Sequence, residues 1–116
     1  MKNPSPPPVP LRLREMLKDY PEHIERLQES LNTVVDQPSK GTPPFEVAIW
    51  VLESRLGAFV MEARKELKDA QTTGNGDAIS QADAKERLMS RASWKHVWLT
   101  DQALWEYFQL HKDALQ

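Results

Sequence analysis

Cysteine is missing from this 116-residue chain, and with it go disulfides, thiolate zinc sites, iron–sulfur clusters and cysteine nucleophiles. Nothing in the composition asks for an oxidising compartment. Long apolar runs are missing too. The longest, Val47 to Leu52, covers six residues, against the roughly 20 that span a bilayer. The first residues offer Lys2 ahead of a proline cluster and no apolar stretch of the secretory kind, so the expected setting is cytoplasmic, with no membrane. A charge excess of either sign is also lacking: 15 Lys and Arg face 17 Asp and Glu, for a net charge of −2. The molecule as a whole therefore has no electrostatic footprint for nucleic acid or an anionic surface, and any such contact must be local. No segment alternates as a strand does, and no linear motif for catalysis, metal or nucleotide is present.

What is there is proline and tryptophan, nine of the one and four of the other. Residues 1–10 hold five of the prolines and no periodic apolar pattern, which predicts a solvated polyproline II arm ahead of a single domain over 11–116. Leu11, Leu13, Met16 and Leu17 make a short helix that stops at Tyr20-Pro21. Pro21 then opens a second, where Ile24, Leu27, Leu31, Val34 and Val35 recur at spacings of three and four up to Pro38. PSKGTPP, residues 38–44, is a loop in which Thr42 is the expected cap of the next helix. From Phe45 the seam Phe45, Ile49, Leu52, Leu56, Phe59, Ala63, Leu67, Ala70 steps close to a heptad. The first half of that helix, with Val47, Trp50, Val51, Ala58 and Met61, is apolar on its other faces too, so Phe45 to Met61 is expected at the centre of the fold.

TTGNGD, residues 72–77, reverses the chain. Ser80 with Asp83 predicts a capping box for a helix running through Leu88, Met89, Ala92 and Trp94. Thr100 and Asp101 mark a break before a last helix with Leu104, Trp105, Phe108 and Leu115. The expected architecture is all-α, a compact bundle of about five helices around a long central one, with an extended proline-rich N-terminal arm.

Three stretches carry candidate contacts. Pro7, Pro10 and Arg12 fit P-x-x-P-x-R, the pattern of a polyproline ligand, although such a tail serves equally as a spacer or a clasp on a neighbouring subunit. Arg87, Arg91 and Lys95 recur at i, i+4 and i+8 beside Trp94 and Trp98, which suits phosphate contact with base stacking. The alternative is a solvated face balanced by Glu86 and Asp83, with both tryptophans turned into the core. Trp94, Trp98 and Trp105 lie within twelve residues of one another, joined by Tyr107 and Phe108, more aromatic surface than one small core needs.

The polar candidates are thinner. His23, His96 and His111 are scattered without metal-ligand spacing, and no cofactor or metal site is expected. Glu62 and Glu66 share a helix face, but the cations around them read as solvated ion pairing. The expected function is therefore non-enzymatic, by protein–protein contact. The partners would be a second copy, through Phe59, Ala63, Leu67 and Ala70 or through Trp105 and Tyr107, and another protein on the remaining surface. A rival reading is a nucleic-acid-associated regulator using Arg87, Arg91 and Lys95. A third is a small helical enzyme in which His96 meets Asp101 or Glu106.

Overall fold

The computed structural model describes residues 6–37, 41–100 and 102–111, and these residues form a helical bundle with no strand. Six helices follow in order: α1 (Leu11–Met16), α2 (Pro21–Asp36), α3 (Pro44–Thr73), α4 (Gly76–Ala92), α5 (Lys95–Trp98) and α6 (Gln102–Leu110). The 30-residue α3 is the spine. α2 and α4 lie along it, α6 packs near its first turns, and α1 sits across α4 and α5. The particle is elongated, 55 × 23 × 22 Å, because the spine is much longer than the elements covering it.

Local chemistry accounts for most of the boundaries. Pro21 and Pro44 stand in the first turns of α2 and α3, where a missing N–H costs nothing. Gly74, at φ 70°, ends α3 in the left-handed conformation that a side chain disfavours. Two residues into the turn, Asn75 Oδ1 accepts hydrogen bonds from the backbone N–H groups of Asp77 and Ala78 and starts α4. The reversal at 72–77 is thus as expected. Ser80 is an exposed residue inside α4, however, since Asn75 has already satisfied the first free donors. Thr42 is not the cap of α3, which follows Pro43 with no side-chain cap bond.

The seam of α3 is buried from Ile49 to Ala63, while Phe45, Leu67 and Ala70 at its ends are half-buried. Ile49, Leu52, Leu56, Phe59, Val60 and Ala63 join Leu27, Leu31 and Val34 of α2 and Met89 and Ala92 of α4 in one core with Trp98, Leu104 and Phe108. Two expectations change. Trp50 and Met61, placed at the centre by their apolar neighbours, lie 58% and 64% exposed on the opposite side of α3, because a helix flanked by two others still has a free side. The proline segment is extended but not solvated over residues 7–10. Pro7, Val9 and Pro10 are buried, Gln28 Nε2 donates to the Pro7 carbonyl at 2.8 Å, and Arg14 Nε donates to that of Val9 at 3.1 Å. Proline has no N–H to satisfy and a compact apolar ring, so the extended Pro-Pro-Val-Pro run of residues 7–10 can cover a core edge at little polar cost. Residues 1–5, the Pro38 stop, Asp101 and Leu115 lie outside the described residues.

Candidate interaction surfaces

α4 ends at Ala92, and the chain restarts as α5 after Trp94, whose ψ of 109° is extended. In one continuous helix Trp94 and Trp98 would share a face. The break separates them: Trp98 enters the core at 1% exposure and Trp94 stays outside at 51%. The stripe of three cations breaks at the same point. Lys95 turns toward Glu53 of α3, at 3.8 Å, and Arg87 pairs with Asp83 at 3.1 Å. Arg91 makes no ion pair among the described residues.

Trp94 and Arg91 stand between two open hollows. One, of about 540 Å³, is completed by Ala84, Glu86, Arg87 and Ser90. The other, of about 230 Å³, has an apolar floor of Met16, Leu88 and Val97 and takes Arg12 from α1 as a second cation. His96 stacks on Trp94, with ring centroids 6.0 Å apart and planes 17° from parallel. The fold thus joins Arg12, singled out by its proline context, to Arg91 and Trp94, singled out by helical spacing. Pro7 and Pro10 do not join them as a free ligand because they are packed away. An apolar floor with basic and aromatic walls suits an acidic segment carrying an apolar side chain.

The expected subunit-contact residues divide by face. Phe59 and Ala63 are buried within their own chain and Tyr107 nearly so, which removes them from any rigid docking surface. Leu67 and Ala70 are half-buried. Trp105 remains 48% exposed. The seam was legible as an apolar periodicity, but periodicity does not say whether the partner helix belongs to the same chain. The free side of α3, with Trp50 and Met61, is not legible in the sequence because apolar neighbours such as Ile49, Val51 and Val60 make that half of the helix read as apolar all round.

A polar cluster crosses the bundle where α2, α3 and α4 meet. Arg26 holds Glu62 through two bonds of 2.8 and 2.6 Å, and its guanidinium lies 4.6 Å from the centre of the Phe59 ring. The pair pulls the Glu62 carboxyl below its ordinary pKa and raises that of Arg26, chiefly through these hydrogen bonds. Lys85 reaches Glu66 at 2.9 Å and lies 5.3 Å from the Tyr20 ring centre. His23 is 9% exposed and edge-on to Phe59 and Tyr20 at 4.4 and 5.6 Å, and its Nδ1 has no partner among the described residues. Burial first, then the charges of Lys85 and Arg26, lower its pKa. This arrangement fastens three helices together. Among the described residues no group of three or more His, Cys, Asp or Glu side chains is placed to hold a metal ion, and no helix is long and apolar enough to cross a membrane. His96 is engaged with Trp94, Glu106 is exposed on α6, and Asp101 lies outside the described residues. No protein-family model, curated protein or solved structure matches the chain.

Proposed function

We propose that the chain acts by binding protein surfaces and not by chemistry of its own: it self-associates through helical faces and presents the Trp94 hollows to a second protein. The observation that carries this is the distribution of the tryptophans. Trp98 closes the core at 1% exposure, while Trp50, Trp94 and Trp105 are left at 58%, 51% and 48%. Tryptophan is the side chain that gains most from being covered at an interface, and three half-exposed indoles on so small a particle are what a binding protein carries. The lack of cysteine fits a reducing interior such as the cytoplasm.

The test compares the intact chain with Trp94→Ala and Arg91→Glu as immobilised bait. Proteins retained by the first and released by both variants support the reading, and an identical set on all three contradicts it. A second reading draws on one observation: Trp94 points outward beside Arg87 and Arg91, as base stacking requires. Against it stand the acidic balance and the engagement of Lys95 and Arg87 with carboxylates. Polarisation of a labelled single-stranded oligonucleotide decides it. Salt-sensitive binding that Arg91→Glu abolishes favours nucleic acid, and flat polarisation removes it.

A further inference from the structure

We infer that the free side of α3 is an isologous, antiparallel contact with a second copy of this chain, crossing at Gly57; the inference rests on the self-association half of the reading above and names its surface and register. At 100° per residue, Glu46, Trp50, Gly57, Met61, Arg64 and Lys68 fall within about 40° of one line along the helix. The four large charged or apolar side chains nearest the ends, Glu46, Trp50, Arg64 and Lys68, are all exposed, as is Met61. Gly57 lies at the midpoint, and a Cβ built there meets nothing within 4 Å. Nothing among the described residues accounts for a glycine in the middle of a 30-residue helix, where it costs helix propensity. Close approach of another backbone does account for it.

The occupant follows from charge and symmetry. A two-fold axis at Gly57 pairs positions that sum to the same number, so Glu46 faces Lys68 of the other copy and Trp50 faces Arg64. Met61 of that copy lies one turn away from Arg64, within reach of the indole. Opposite charges thus meet at both ends, and a guanidinium and a thioether meet each ring. A parallel pair would set Glu46 against Glu46 and Lys68 against Lys68. Glu46 and Lys68 make no ion pair among the described residues. Arg64 reaches Glu86 only at 3.4 Å and keeps 61% of its side chain exposed, so it can turn to a ring. The strip is one helix wide and about 33 Å long, which puts the contact at the small end of specific interfaces and makes the dimer concentration-dependent.

The chain has no cysteine, so single cysteines report the geometry without background. Gly57→Cys, on the axis, is expected to form a disulfide-linked dimer under mild oxidation, because two copies come within the 4.4–6.8 Å Cα separation a disulfide needs. Lys68→Cys, far from its own copy in this register, is expected to stay monomeric on a denaturing gel. Linkage of both variants means a parallel pair and overturns the inference. Linkage of neither, in a chain that light scattering shows to be dimeric, places the contact elsewhere and overturns the inference while leaving self-association standing. A monomer at every concentration overturns both. Gly57→Gln separates folding from association. It is expected to raise the melting temperature of the fold and to weaken the dimer at least tenfold, and unchanged association contradicts the crossing point. Glu46→Lys should weaken association, and adding Lys68→Glu, its opposite number in this register, should restore it.

Discussion

His23 is a titratable group in an apolar setting, its ring wedged against Phe59 and Tyr20. Its pKa lies below the ordinary 6.5 because burial, then Lys85 and Arg26, disfavour the imidazolium, with Glu62 and Glu66 opposing more weakly. As pH falls through 6.5 the unfolded chain therefore takes up a proton that the folded chain refuses, and stability is lost from there down to the folded value. Glu62 acts in a lower window. Its folded pKa is depressed below 4.5, so its contribution is present above that value and is lost as pH falls through the folded one. The melting temperature is thus expected to fall as pH drops below about 6.5 on account of His23, and His23→Phe, which keeps the ring contacts, should flatten that slope. An equally steep slope in the variant would assign the acid sensitivity to other groups. Little of this was legible in the sequence. His23 stood out only as one of three scattered histidines, and its surroundings come from Tyr20 before a proline and from Phe59, 36 residues on. The fates of Trp94 and Trp98 were hidden for a related reason, since i, i+4 residues share a face until the backbone between them leaves the helix.

At the scale of elements, what could be read was whatever a single short-range cause decides. Pro21 and Pro44 start helices, Gly74 ends one, and the i, i+3, i+4 rows of α2 and α3 do face the core. Where two local signals compete, only packing decides. Asn75 and Ser80 both fit an N-cap, and the structure uses Asn75, tightly linked to the turn that Gly74 makes. Asn75→Ala is therefore expected to cost about 1 kcal/mol, read as a lowered urea midpoint, whereas Ser80→Ala at its exposed position should change it little. A larger loss for Ser80→Ala would move the start of α4. The break after Ala92 has no proline or glycine to announce it. The proline segment misled in the other direction: its composition is that of a solvated tail, but an extended chain without donors also makes a good cover for the edge of a core, and Gln28 holds it there.

For the whole molecule, the governing fact is that, among the described residues, the 30-residue spine is flanked by other helices and keeps one side, with Trp50 and Met61, exposed. The residues first expected to join two copies, Phe59 and Ala63, are consumed in joining α3 to its own neighbours. The surplus apolar surface that the composition announced is real, but it sits on the opposite side of the same helix and around Trp94 and Trp105. The direct test of self-association is the light-scattering mass of the intact chain over about a hundredfold range of concentration, at low and high salt. The account predicts a mass that climbs from 13.4 kDa toward twice that value as concentration rises. The climb should come later at high salt, because the exposed charges at the ends of the strip are screened. A mass fixed at the single-chain value under all conditions would contradict it.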